Sequence, residues 1–375
     1  NPQWGTHDHH KHGTLMAGLT TFGDLMQCLI KNQVIHVRHH LESVKILPPP
    51  PNCNVLELWG DITSQGISRA EIQKPQNKRI FCMAVTANDT RDRGRPTSWS
   101  GQLDQAISGA EDNKRRLVIV SSGNCIPENR GHYPDAQLTD SIHDPAQAWN
   151  ALTVGAYTRL NKILDPMMTD YEPVAPEDGL SPFSTTSLCW ENNTWPCKPD
   201  IVLEGGNLAR TTSGFVTECD DLSLLSTYYK PHENQFFPFS MTSAAAAQAA
   251  WMAANIQAEY PEFWPETVRA LMVHSAEWTD QMKSQFGGDG KKTDMKRLLR
   301  ICGYGVPNLD KALYSASNSL TLIAQSELQP FDKKRDEEGK LKSDYRTKDM
   351  HLYELPWPKE VLLSLPDDTH VSMRI

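Results

Sequence analysis

Phe239-Ser240-Met241-Thr242-Ser243-Ala244-Ala245-Ala246-Ala247-Gln248-Ala249-Ala250 sets a Thr-Ser pair directly before a run of small, strongly helix-forming residues. The run predicts a helix through Trp251, Met252 and Ile256 toward Tyr260, where Pro261 stops it. Ser243 then falls in the first turn, where free backbone N–H groups and the positive end of the helix dipole face any anion. A hydroxyl there can attack a carbonyl while its own N–H helps hold the oxyanion. The same residues would also serve as an ordinary N-cap on an Ala-rich core helix. The surrounding chain has to separate the two readings.

The chain has 375 residues, 39% apolar and 22% charged, enough for one large globular domain plus an appendage. A net charge of −9 argues against a nucleic-acid-binding surface. No apolar run approaches the ~18 residues of a membrane span. Asn1-Pro2-Gln3-Trp4 opens the chain without a leader pattern. Eight cysteines are scattered without paired metal spacing, and Cys28, Cys82 and Cys302 sit in apolar surroundings. They favour a reducing, cytoplasmic setting, with Cys189 and Cys197 as a pair that could close a loop. No cofactor or metal is expected. The His-rich stretch His7-Asp8-His9-His10-Lys11 lacks a further partner at ligand spacing, and no acidic loop has calcium-ligand spacing.

Taken in order, His12-Gly13-Thr14-Leu15-Met16-Ala17-Gly18-Leu19 opens a helix expected to reach about Ile30. Glu42 to Leu47 reads as a strand, Pro48 to Pro51 as a stiff loop, and Asp61 to Ile72 as a helix. Arg79 to Thr86 and Arg116 to Ser121 are near-continuous apolar runs, the mark of strands buried on both faces. Gln102 to Ala110 lies between them as a short helix, and Asn88 to Thr97 as a loop. Pro145 to Trp149 is expected to be helical, followed by a strand at Ala151 to Ala156, a loop-rich stretch from Asp165 to Cys197, and a short strand at Pro199 to Gly206. Pro265 to Met272 is an amphipathic helix. Strands alternating with helices imply an α/β domain with a covered, mostly parallel sheet. Beyond Leu313 the composition shifts. Leu320 to Ala324 and Val361 to Leu365 read as strands, Asp332 to Asp349 as charged and mobile, and His370 to Ile375 as a strand cut short. The expected domains are residues 1–315 and a partial β-rich domain at 316–375.

Three islands stand out in this order: His12-Gly13-Thr14, Ser122-Gly123-Asn124 and Thr242-Ser243. Together they resemble the subtilisin-like serine proteases, the subtilases, in which His-Gly-Thr opens a helix, Gly-Asn follows a buried strand, and Gly-Thr-Ser opens a second helix. Leu152 to Ala156, Ser181-Pro182-Phe183-Ser184, Lys198-Pro199-Asp200-Ile201-Val202 and Gly303-Tyr304-Gly305-Val306-Pro307 resemble further segments of that family. The resemblance spans residues 1 to about 315. It implies a three-layer α/β domain, with Ser243 as nucleophile, His12 as general base and Asn124 as oxyanion donor. It also implies peptide binding by strand addition along Val85, Thr86 and Ala87 and along Ser121, Ser122 and Gly123.

The departures carry expectations of their own. The family order is Asp, His, Ser, yet only eleven residues precede His12, and Asp8 lies in the same loop and is not assigned. The Asp-bearing segment is therefore expected to lie outside this chain, leaving it nearly inactive. Met241 stands where the family has Gly, and Ala247 where it has Pro. These features keep open a second reading, a peptide- or protein-binding module that does not cleave. No Gly-x-Ser-x-Gly elbow supports an α/β-hydrolase. A chymotrypsin-type order would need Asp89 or Asp104, against the alternating α/β pattern. The cysteine usage and β-rich tail resemble bacterial subtilases encoded beside an AAA-type ATPase. That implies a polypeptide substrate, such an ATPase partner, and a role in defence against phage or foreign DNA.

Overall fold

The structure is a computed structural model and describes all residues except 1, 33, 88–92, 191–193, 318–320, 337, 356, 370 and 372–375. It divides into two compact units, Asn1–Ala312 and Leu313–Ile375. The helices in chain order are α1 (His12–Phe22), α2 (Leu25–Lys31), α3 (Trp59–Gln73), α4 (Ser98–Ser108), α5 (Asp135–Thr139), α6 (Met241–Glu259), α7 (Pro265–Ser275), α8 (Asp280–Phe286), α9 (Lys292–Cys302), α10 (Leu309–Ser317) and α11 (Lys359–Ser364). The strands are β1 (Ile80–Met83), β2 (Leu117–Ser121), β3 (Leu152–Thr158), β4 (Tyr171–Pro173), β5 (Gly179–Leu180), β6 (Ile201–Glu204), β7 (Ala209–Thr211), β8 (Val216–Thr217), β9 (Leu224–Thr227), β10 (Phe236–Phe239), β11 (Phe331–Arg335) and β12 (Leu341–Thr347).

In the first unit β1, β2, β3 and β6 pair in parallel, and β5 adds antiparallel to the end of β3. Every residue of β2 and β3 is buried, as continuous apolar strands require when both faces are covered. On one face Val118 and Val120 join a cluster with Ile67 of α3 and with Trp99, Leu103 and Ile107 of α4. On the other lies α6, whose Ala246 carbonyl accepts the Cys82 thiol at 3.5 Å. This is the expected three-layer α/β arrangement, with a mostly parallel sheet between helices. The alanines of α6 are buried around the helix because strands and α1 both approach it closely.

Conserving that close packing requires one small residue in α1. A Cβ on Gly18 would collide with the Ser226 hydroxyl and lie 2.7 Å from the Thr227 amide. Ser226 and Thr227 instead donate their hydroxyls to the carbonyls of Leu15 (2.6 Å) and Thr14 (2.9 Å), clamping α1 onto β9. Below the sheet, the buried Lys198 ammonium is shared between the Asp200 carboxylate (2.8 Å) and the Ala151 carbonyl (2.9 Å).

Several expectations need correction. The first helix does not reach Ile30. Gly23 takes φ 71° and Asp24 caps a new helix through the Met26 N–H. Glu42 to Leu47 is not a strand. Its groups are used by side chains instead: Arg79 binds Glu42, and the Asn54 amide donates to the Ile46 carbonyl at 2.8 Å. Pro145 to Trp149 forms a turn, because the Asp104 carboxylate takes the N–H groups of Trp149 and Asn150. In the second unit 321–324 has no regular structure, and Val361 to Ser364 lies in α11. A short apolar run carries no decisive period. The strands there are β11 and β12, inside the charged stretch expected to be mobile, paired antiparallel around a turn with Gly339 at φ 82°. The expectation for His370 to Ile375 lies outside the described residues except at Val371.

Candidate active site

Parallel strands deliver their following loops to one edge of the sheet, where open α/β folds place their sites. Beyond β1 come Ala84, Val85 and Thr86, and beyond β2 come Ser122, Gly123 and Asn124. A cleft of about 500 Å³ opens there. Its walls include Val85, Thr86 and Asn124 from these loops, His10 and His12 from the start of α1, and Pro238, Phe239, Ser240, Met241 and Ser243 from β10 and the start of α6; Leu47, Ala84 and Glu218 complete it. Residues far apart in sequence, His12, Asn124 and Ser243, thus face one cavity.

His12 is the first residue of α1. Lys11, the preceding N-cap, sits in a left-handed conformation (φ 63°) and makes no side-chain capping bond. The cap comes from further back. Asp8 Oδ2 accepts both the amide and the hydroxyl of Thr14, each at 2.7 Å. Partial burial raises the Asp8 pKa, but the Thr14 bonds and the N–H groups of His10 and Lys11 outweigh it and leave the carboxyl below its usual value. Burial pushes the His12 imidazole below its usual pKa and His10 adds to this, with the Asp8 charge opposing. His12 is thereby favoured as neutral base. Its ring meets Phe239 edge-on, centroids 5.6 Å apart. Among the described residues no hydrogen bond links His12 to Ser243, and no carboxylate bonds to His12.

The start of α6 is built around a strained residue. Met241 takes φ 78°, a conformation that favours glycine, and its N–H donates to the Gly205 carbonyl at 2.6 Å. A glycine at this position would adopt that conformation without strain. Ser243 follows two residues later, in the first turn as expected, and is 6% exposed. The N-cap is Ser240.

Asn124 is oriented by donors that leave no ambiguity. Its Oδ1 accepts the Thr242 amide at 3.0 Å and the Thr242 hydroxyl at 2.8 Å. A backbone N–H can only donate, so the oxygen must face Thr242 and the Nδ2 group remains to donate elsewhere. The Thr242 hydroxyl also lies 3.1 Å from the Gly123 carbonyl. Gly123 itself takes φ 91°, and a Cβ there would lie 2.6 Å from the Cβ of His143.

Ala87, Ser121, Ser122 and Gly123 are buried and do not line the cleft. The Ala87 N–H donates to the Asp144 carbonyl (2.7 Å) and the Ser122 N–H to the Val154 carbonyl (2.9 Å). The carbonyls of Ser122 and Gly123 accept the Thr185 hydroxyl at 2.9 and 3.2 Å. Sequence reading missed His10, Leu47, Glu218 and Phe239 as cleft residues. Phe239 borders the Thr-Ser motif and offered a signal, whereas Glu218 lies in an unremarkable loop before β9.

The subtilase family model matches residues 1–305. An uncharacterized protein from Sinorhizobium fredii is 28% identical over 274 residues, covering 68% of this chain and 60% of that protein. The chain thus spans about 60% of the length of this curated relative. Among solved structures, a lanthipeptide protease aligns with TM-score 0.48 and 18% identity over 82% of this chain and 76% of its own. A psychrophilic protease aligns with TM-score 0.46 and 20% identity over 73% and 72%. With the family model covering most of its length, the chain belongs to the subtilase family.

Proposed function

We propose that this chain is a serine endopeptidase of subtilisin type, hydrolysing peptide bonds through an acyl-enzyme on Ser243. The observation that carries the reading is the single cleft walled by His12, Asn124 and Ser243. The Ser243 oxygen bonds to the substrate carbonyl carbon while His12 takes the hydroxyl proton. The carbonyl becomes an oxyanion, met by Asn124 Nδ2 and the Ser243 N–H. Collapse breaks the C–N bond, and His12 returns the proton to the leaving amine. Water then attacks the ester, again with His12 as base, and releases the acid. The backbones of Val85 and Thr86 make no hydrogen bond among the described residues, which suits strand addition by an extended substrate.

Turnover by this chain is expected to be low, since among the described residues no carboxylate holds the His12 ring. In subtilisin itself, loss of the triad Asp costs about 3 × 10⁴ in turnover. The second reading, a binding module without cleavage, is favoured by that unheld imidazole and by the strained Met241. A fluorophosphonate probe separates them. Labelling of the full-length natural protein, abolished by Ser243→Ala, supports the peptidase; a folded full-length protein that stays unlabelled is a binding module.

The proposal extends to a peptidase domain at 1–315 followed by a second domain at 316–375, supported by the unit boundary after Ala312. It also includes a cytoplasmic setting, supported by eight free thiols, and an AAA-type ATPase partner. The latter rests on the resemblance to subtilases encoded beside such ATPases. Purification of the natural protein without any ATPase would remove it.

A further inference from the structure

The cleft carries one formal charge that the catalytic scheme does not use. Glu218 is the only carboxylate among the described residues lining it, and neither Lys nor Arg lines it. Its backbone is held on both sides, by the Ala209–Thr217 pairing of β7 with β8 and by the buried Cys219. The same carboxylate borders a neighbouring cavity of about 450 Å³ with Asp165, Asp220 and Asp221. There Asp221 accepts the N–H groups of Leu164 and Asp165, and Asp165 accepts that of Met167. Those two carboxylates are thereby occupied, whereas Glu218 makes no hydrogen bond or ion pair among the described residues.

Arg130 offsets this charge in part without forming a hydrogen bond or ion pair with it among the described residues. Its Nε donates to the Cys125 carbonyl at 2.9 Å, its guanidinium lies 5.0 Å from the Phe183 ring centroid, and Glu128 competes for it. His12 is held toward its neutral form by burial. A peptide laid across the cleft displaces water from beside Glu218, and the interaction with a charge on that peptide strengthens as the local dielectric falls.

We infer that Glu218 makes the cleft selective for polypeptides carrying Lys or Arg beside the scissile bond, and against Asp or Glu there. The substrate class rests on the peptidase reading above. The selectivity is a property of the cleft and is testable without turnover.

The test uses the full chain with Ser243→Ala, titrated with fluorescent peptides identical except for a central Lys, Gln or Glu, by anisotropy at about 50 mM salt. The Lys peptide is expected to bind roughly tenfold tighter than the Glu peptide, with the gap narrowing at high salt. Adding Glu218→Gln closes most of the gap and Glu218→Lys inverts it. Equal binding of all three peptides, binding of none, or a gap unchanged by both substitutions overturns the inference. A clear Glu218-dependent gap, in a protein whose Ser243 never reacts with the fluorophosphonate, instead rejects the peptidase reading and keeps the selectivity.

Discussion

Replacing Gly123 with Ala should damage the molecule out of proportion to a single methyl group. At φ 91° the backbone is left-handed, which costs an L-residue about 1–2 kcal/mol. The added methyl would also overlap the Cγ of His143 and lie 2.6 Å from its Cβ and Nδ1. Rotation of the His143 ring relieves the contact with the ring but not with Cβ, which stays fixed to the backbone. That backbone is itself tied down, because the His143 N–H donates to the Ser122 carbonyl at 3.0 Å. Overpacking of this kind costs about 1–3 kcal/mol more. Gly123→Ala is therefore expected to destabilise the protein by about 2–5 kcal/mol, read as a lower urea midpoint at unchanged slope. His143→Ala in the same background removes the ring and keeps Cβ, so the double-mutant cycle should show a favourable coupling of about 1–2 kcal/mol without full rescue. Loss below about 0.5 kcal/mol, or strict additivity of the two changes, would refute the reasoning. Fluorophosphonate labelling should slow in parallel, since movement of Gly123 carries Asn124 with it.

Two further outcomes follow from buried charges. Lys198→Met leaves Asp200 with Arg269 at 3.2 Å and the Thr153 N–H at 2.7 Å but removes its buried partner. A loss of about 3–5 kcal/mol is expected by chemical denaturation, and a near-neutral result would show that Arg269 suffices. Burial pushes the Glu204 carboxyl up to about 7 from an ordinary 4.5, against the N–H bonds from Arg159 and Gly206. The folded state then holds a proton that the unfolded chain releases near 4.5, so this contribution is full below that pH and is lost as pH rises through about 7. The gap corresponds to about 3 kcal/mol. Between pH 4 and 8 the native protein should lose about that much more stability than Glu204→Gln; parallel curves for the two would contradict the assignment.

Local chemistry was legible where one physical rule dominated. The apolar runs at 117–121 and 152–156 had to be strands covered on both faces, and Pro265 and Pro261 marked helix ends without tertiary help. Legibility failed where side chains from elsewhere took over backbone groups. Asp104 turned Pro145 to Trp149 away from a helix, and the Asn54 amide took the Ile46 carbonyl within Glu42 to Leu47. In the second unit, 331–335 and 341–347 carry no apolar alternation to read, because both strands leave most of their residues exposed.

The amino-acid sequence by itself determined that this is an α/β chain of subtilase type, through continuous strand hydrophobicity and an ordered set of short motifs. These are local properties and need no partner. Only the tertiary structure decided that Asn124 turns its oxygen to Thr242 and so keeps Nδ2 to donate, that Asp8 caps Thr14, and that Glu218 joins His12 and Ser243 in one cleft. Each of those depends on groups meeting across the fold, where the hydrogen bond or the field is set by distance in space and not by spacing along the chain.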